Sequence, residues 1–457
     1  MQNRYPLEPL VGRILSPFER FLGRTSAGGI VLVAATVVSL AIATALEGNL
    51  VSEVTQRHFG LSGAGSAFDL TLLHWVNDGL MTLFFLLVGL ELKREVLVGE
   101  LSSWRDALLP VAAALGGMVA PALVYLAFNA RGDGAAGWGI PMATDIAFTV
   151  GILVLLTWRV PRNLVVFVTA LAIADDLGAV LVIGVFYTPE LDLAALGAGA
   201  ALFAVLVLFN RAGIRHPLPY VLVGVALWLA VHASGAHATL TGVLMALTVP
   251  ARASRRPAQF ERRASELLER LREERTDAAT PDDALANEQV AHIAEAMEDA
   301  AIQAQSPLQR MEHALAPWVT FAVIPVFALC NAGIDLRAVR WSTVLDDPVT
   351  LGVACALLFG KFLGVASFTW LAIRLGVGRL PAGVSWRHML GAAWLTGIGF
   401  TMSLFIAQLA FADAQLVEAA KLGIILGSAF AAVVGMGWLY LAAGKQAAGV
   451  HDYNQAS

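Results

Sequence analysis

Residues 163–186 read Asn163-Leu-Val-Val-Phe-Val-Thr-Ala-Leu-Ala-Ile-Ala-Asp175-Asp176-Leu-Gly-Ala-Val-Leu-Val-Ile-Gly-Val-Phe186. Two adjacent carboxylates interrupt a run that is otherwise without charge. The run is too long and too uniformly apolar for a barrel strand. In hydrocarbon only helices and closed barrels satisfy the backbone, so it reads as a helix inside lipid. A charge at the centre of a bilayer costs about 3 kcal/mol or more, so an aspartate pair there needs a reason.

The rest of the chain has the same character. Of its 457 residues, 58% are hydrophobic and 14% charged, too few polar groups to cover a soluble surface. Apolar stretches start near Gly29, Leu70, Ala107, Trp138, Asn163, Leu193, Leu218, His237, Leu315, Leu351, His388 and Ala419, which predicts twelve transmembrane helices in an all-α integral membrane protein. Arg4, Arg13, Arg20 and Arg24 precede the first of them with no cleavage pattern, so it reads as an uncleaved span, not a signal peptide. Of the 30 Lys and Arg residues, 24 fall on alternate connecting segments beginning with the N-terminus, and four on the opposite set (Arg57, Arg131, Arg337, Arg340). Positive charge stays inside, so both termini are expected in the cytoplasm.

The expected organisation is a cytoplasmic segment at 1–28, helices one to eight at 29–250, a charged cytoplasmic insertion at 251–307, helices nine to twelve at 308–444 and a tail at 445–457. Within the insertion, Glu261–Arg275 reads as a charged helix and Thr276–Ala286 as a loop; the whole is expected to be a solvated, partly disordered linker. The net charge of −5 is small and no basic tract or zinc-ligand spacing suggests nucleic acid. Cys330 and Cys355 form no metal or redox motif, and no cofactor is expected.

Thr144-Asp-Ile-Ala-Phe-Thr149 in the fourth span matches Thr396-Gly-Ile-Gly-Phe-Thr401 in the eleventh. The alternation of segments gives these spans opposite directions. That pattern predicts inverted-topology repeats, helices three to five mirrored by ten to twelve, with a site at their interface.

Other charges in spans point to the same place. Adjacent helical residues diverge by about 100°, so Asp175 and Asp176 meet different neighbours. Two carboxylates this close resist being charged together, and either protons or a hard cation such as Na⁺ would compensate them. One site would then hold either ion. Lys361, in Leu357-Leu-Phe-Gly-Lys-Phe-Leu-Gly364, needs a carboxylate partner, and Asp175, Asp176 and Asp145 are the candidates. Asp145 follows Pro141 and Thr144, where an interrupted helix exposes its ends; Gly397 and Gly399 loosen the matching stretch. Asp145 is expected to balance the positive ends of two half-helices and Lys361 the negative ends, with a direct ligand role for Asp145 as the alternative. Thr144 adds an oxygen or simply packs. Glu91, Glu95, Glu312 and His313 read either as a pH-sensing cluster or as interfacial charge. His237 reads as a satisfied structural histidine.

Together these stretches resemble the NhaA-type Na⁺/H⁺ antiporters. The resemblance is carried by Trp75-Val-Asn-Asp78, Phe84-Phe-Leu-Leu-Val-Gly-Leu-Glu-Leu-Lys-Arg-Glu95, Ala143-Thr-Asp-Ile-Ala-Phe148, Leu171-Ala-Ile-Ala-Asp-Asp-Leu-Gly-Ala179, His237-Ala-Thr-Leu240, Phe359-Gly-Lys361 and Gly397-Ile-Gly-Phe-Thr-Met402. It implies that Asp176 is the main sodium ligand and proton carrier, with Asp175 its partner. Lys361 would pair with Asp175 in the proton-loaded state and, with Asp145, balance two interrupted helices crossing at the midplane, with Thr144 at the rim. Glu91, Glu95, Glu312 and His313 would form a cytoplasmic pH-sensing funnel. It further implies electrogenic export of Na⁺ or Li⁺ against protons by alternating access, in the bacterial inner membrane, from a homodimer. Two features depart from the family: the length of 251–307, and Ala316 where some members carry a second histidine.

Rival classes fit less well. An intramembrane aspartyl protease needs two aspartates on separate helices in a Gly-x-Gly-Asp context, which is missing. A retinal-type pump with Lys361 as Schiff base has seven spans. A passive sodium channel has no need of proton coupling.

Overall fold

The computed structural model describes residues 27–45, 53–59, 70–99, 101–188, 191–253, 257–276, 288–337, 339, 341–342, 344 and 346–442. These are almost wholly helical. A two-residue antiparallel pair, β1 (His58–Phe59) with β2 (Leu70–Thr71), is the exception to the all-α expectation. The helices are α1 (Ala27–Ala45), α2 (Met81–Val98), α3 (Trp104–Phe128), α4 (Ile146–Leu155), α5 (Arg162–Phe186), α6 (Leu193–Arg211), α7 (Pro217–Ala233) and α8 (Leu240–Thr248). Then come α9 (Pro257–Thr276), α10 (Glu288–Ala304), α11 (Pro307–Trp318), α12 (Ile324–Asn331), α13 (Pro348–Cys355), α14 (Lys361–Arg374), α15 (Trp386–Leu395), α16 (Phe400–Ala410) and α17 (Ala414–Ala442). Each expected apolar stretch contains helix; Leu70 and His237 lie just ahead of theirs, and the stretch from Trp138 opens in a 3₁₀ segment, Asp133–Met142, ahead of α4.

Length and apolarity make this a multi-pass membrane protein. Eight of the described helical segments can cross a bilayer, or nine when α15 and α16, bent by 43° at residues 396–399, form one span. The 25 residues of α5 rise about 37 Å, enough for the roughly 30 Å hydrocarbon core. Three expected spans are shorter or more charged: α7 has 17 residues, α8 has nine, and α2 carries Glu91, Lys93, Arg94 and Glu95 in its last turns. Leu123, Leu181, Val185 and Phe186 are large, apolar and exposed, which suits lipid and not water.

Small residues set the packing around the site. Gly116 on α3 and Gly364 on α14 approach so closely that a methyl added to either would collide with the other's carbonyl oxygen. Without a hydrophobic drive between helices in lipid, such close backbone contact is what holds them. Three π-helical turns interrupt otherwise regular helices: Trp75–Leu80 ahead of α2, Val319–Val323 between α11 and α12, and Ala356–Gly360 directly before Lys361. Each carries one extra residue per turn, a distortion often found at functional positions.

The insertion differs from the linker expected of it. The charged helix is present as α9, and α10 pairs with it. Phe260, Ala264, Leu267 and Leu271 recur at helical spacing on α9, as do Ile293, Met297 and Ala300 on α10. Leu267 and Ala300 are buried, and Arg263 pairs with Glu266 at 3.3 Å. Two such stripes cover one another, which a wholly solvated segment does not offer. Residues 277–287, most of the expected loop, lie outside the described residues.

Candidate functional site

Two helix breaks build the site. After a 3₁₀ segment, Asp133–Met142, the chain is extended through Ala143, Thr144 and Asp145 before α4 begins. Asp145 caps α4: its Oδ1 accepts the Phe148 amide at 3.0 Å. Its Oδ2 accepts the Thr401 amide at 3.1 Å and the Thr401 hydroxyl at 2.6 Å, at the start of α16. One carboxylate thus serves the positive ends of two half-helices. The backbones are also tied, by the Asp145 amide to Ile398 O at 2.7 Å.

Lys361 covers one opposite end. Its ammonium donates to the Met142 carbonyl, which ends the 3₁₀ segment, to Asp175 Oδ2, and to the Thr144 hydroxyl at 2.9 Å. That uses all three of its N–H groups. The expectation that Lys361 balances the negative ends of both half-helices needs correction. The carbonyls ending α15 are served instead by Thr144 Oγ1 to Thr396 O at 3.0 Å and Thr149 Oγ1 to Leu395 O at 3.2 Å. The reason is geometric: the three donors of Lys361 are spent on the Met142 side.

Asp175 and Asp176 sit side by side on α5 with side chains fully buried. Asp175 Oδ2 is held by Lys361 and Thr144. Asp175 Oδ1 and both oxygens of Asp176 have no hydrogen-bond partner among the described residues. Three buried, unpartnered acceptor oxygens are costly as they stand. A proton or a hard, oxygen-seeking cation removes that cost. The pair is closed off from both sides of the bundle, since Asp175, Asp176 and Lys361 are each 0% exposed.

The remaining predicted residues divide. Arg94 on α2 pairs with Glu312 on α11 at 3.2 Å and with Glu95 at 3.4 Å, and Glu91 lies within electrostatic reach of all three. His313 is exposed and, with Arg310 and Met311, lines an apolar groove between α11, α7 and α8. The structure therefore gathers Glu91, Glu95 and Glu312 and sets His313 apart. His237 meets the Tyr187 carbonyl at 2.9 Å, and Asp78 lies 3.8 Å from His232.

Sequence reasoning missed several participants. Lys93 donates to Leu247 O at 2.7 Å and Val249 O at 2.5 Å, capping the end of the short α8. Ser403 Oγ reaches Ile140 O at 2.7 Å. Thr149 and Thr401 close the matched six-residue motifs, so their signal was present. The Met142 carbonyl has no side-chain signal at all.

An aspartate pair and a lysine closed inside a polytopic bundle, at two facing helix breaks, define a membrane transporter. The sequence matches the family described as Na⁺/H⁺ antiporter 1 over residues 19–439. It is 58% identical over 439 residues to the Na⁺/H⁺ antiporter NhaA of Syntrophobacter fumaroxidans, covering 96% of this chain and 93% of that one. With the NhaA antiporter of Acidithiobacillus ferrooxidans it shares 55% identity over 433 residues, 95% of this chain and 99% of the relative. The chain belongs to the NhaA-type family of Na⁺/H⁺ antiporters.

Proposed function

We propose that this protein exports Na⁺ or Li⁺ in exchange for external protons, electrogenically and under pH control, by alternating access to the Asp175–Asp176 pair. The observation that carries the reading is the set of three buried, unpartnered carboxylate oxygens beside an ion-paired lysine. Two carboxylates can hold more than one proton but share one cation, so each cycle moves net charge. From the cytoplasm, Na⁺ displaces the protons held by Asp176 and by the Lys361–Asp175 pair. The repeat bundle then rocks and opens the site outward, where protons displace Na⁺. Asp145 and Lys361 neutralise helix ends where two interrupted helices cross, so the break stays intact while the pair changes occupant. Glu91, Glu95 and Glu312, with His313 at the groove, set the pH at which the cytoplasmic side admits ions.

The same reading gives twelve spans as inverted-topology repeats and places both termini in the cytoplasm of a bacterial inner-membrane protein. The partners are Na⁺ or Li⁺, protons, the bilayer and a second copy of the chain as a homodimer.

The test uses proteoliposomes with a trapped pH dye and an imposed pH gradient. Na⁺ and Li⁺, but not K⁺, are expected to collapse the gradient, and Asp176→Asn to abolish the response. A silent wild type across the alkaline range defeats the assignment, and an active Asp176→Asn moves the site to another carboxylate.

A further inference from the structure

Thr144 has one hydroxyl hydrogen and two lone pairs. Lys361 Nζ donates to its oxygen at 2.9 Å and occupies one lone pair. Two acceptors stand within reach of the single hydrogen: Asp175 Oδ2 at 2.7 Å and the Thr396 carbonyl at 3.0 Å. It can serve one of them well at a time. Asp175 belongs to the buried ion pair, whereas Thr396 is the C-cap of α15, the residue directly after Leu395. Thr149 gives a contrast within the same break, since its hydroxyl donates to Leu395 O at 3.2 Å with no rival acceptor among the described residues.

We propose that Thr144 is a positioning residue that links cation occupancy of the aspartate pair to the α15–α16 break, by turning its one hydrogen from Asp175 to Thr396. The proposal rests on the antiport reading of the same site. Hydrogen bonds to a charged acceptor are about twice as strong as those to a neutral carbonyl. With no cation bound, the Asp175 oxygen therefore holds the Thr144 hydrogen. A cation taken up by Asp175 and Asp176 satisfies that charge, and the Thr396 carbonyl then wins the hydrogen. Carbonyls at a helix C-terminus carry the negative end of its dipole and gain from a donor. Arrival of the ion is thereby felt at α15, and through residues 396–399 at α16, without any displacement of α5. The Thr149 brace is fixed and transmits nothing.

The experiment follows hydrogen–deuterium exchange over residues 386–403 of the full chain in nanodiscs, in NaCl and in choline chloride of equal ionic strength. Equilibrium binding of radioactive Na⁺ is measured on the same preparations. Na⁺ should slow exchange in this segment for wild type and for Thr144→Ser, which keeps the hydroxyl. Thr144→Val, of similar shape without it, is compared at Na⁺ concentrations that saturate it, and should lose the Na⁺-dependent slowing. Thr149→Val should exchange faster in both solutions and keep the response. The proposal is overturned if Thr144→Val responds like wild type, if wild type or Thr144→Ser shows no response, or if Thr149→Val loses it too. Complete loss of Na⁺ binding in Thr144→Val also overturns it, because Thr144 is then a ligand and not a link. Failure of the underlying reading looks different: Na⁺ exchange absent in wild type, or intact in Asp176→Asn.

Discussion

Asp175 is tied to Lys361 and Thr144, while Asp176, the next residue, has no partner among the described residues. The divergence of about 100° between consecutive helical side chains produces this split from an otherwise symmetrical pair. Under the proposed function it also separates two duties, since one carboxylate anchors the lysine and the other is left for an ion. Breaking a buried ion pair by removing one partner costs about 3–5 kcal/mol, because the other charge is left uncompensated. Lys361→Met is therefore expected to lower the thermal unfolding midpoint in detergent clearly, and Asp175→Asn added to it should restore most of the loss. A double variant as unstable as the sum of its parts would show that the two residues are not coupled. That Lys361 needs a carboxylate is legible in the sequence, because a lone ammonium inside lipid is untenable. That the partner is Asp175 and not Asp176 or Asp145 is not, since the choice depends on how α14 rotates against α5.

The breaks at 143–145 and 396–399 and the seam between α3 and α14 act together at the scale of elements. Lys361 follows the π-helical turn Ala356–Gly360, and the seam at Gly364 lies just beyond it on the same helix. Gly364→Val should push α14 away from Gly116, costing about 2 kcal/mol of stability by overpacking and raising the Na⁺ concentration needed for half-maximal exchange. Gly437→Ala on α17 is the control, because nothing lies near a methyl there; it should not lower stability and should leave the Na⁺ dependence unchanged. If Gly364→Val lowers stability but leaves Na⁺ dependence untouched, the seam does not position Lys361. The breaks themselves were readable from Pro141, Gly397, Gly399 and the charges beside them. The three π-helical turns were not, since one extra residue in a turn leaves no mark in composition or periodicity. The pairing of α9 with α10 is hidden in the sequence for another reason: the high charge of the insertion suggests solvation, while its apolar residues, sparse but regularly spaced, are enough for the two helices to cover each other.

Across the whole molecule, the bundle leaves the aspartate pair fully buried in this conformation, so under the proposed function an ion held there waits for the bundle to open before a competing ion displaces it. Under the antiport proposed at this pair, protons and Na⁺ exclude one another at the same oxygens, and the sign of the pH effect follows. Lowering the pH loads the carboxylates with protons, which must leave before Na⁺ binds, so the apparent KM for Na⁺ rises. For each proton displaced, linkage gives about a tenfold rise per pH unit on the acid side. The maximal rate at saturating Na⁺ should change far less, because enough cation restores the same loaded state. Exchange measured in proteoliposomes over a series of Na⁺ concentrations at each pH separates the two quantities. A KM that holds constant while the maximal rate collapses toward acid pH would mean that protons act elsewhere. The Glu91, Glu95 and Glu312 cluster, bound through Arg94 between α2 and α11, would then be the place to look. In that case Glu312→Gln should move the pH profile, whereas under pure competition at Asp175 and Asp176 it should leave the slope of KM against pH intact.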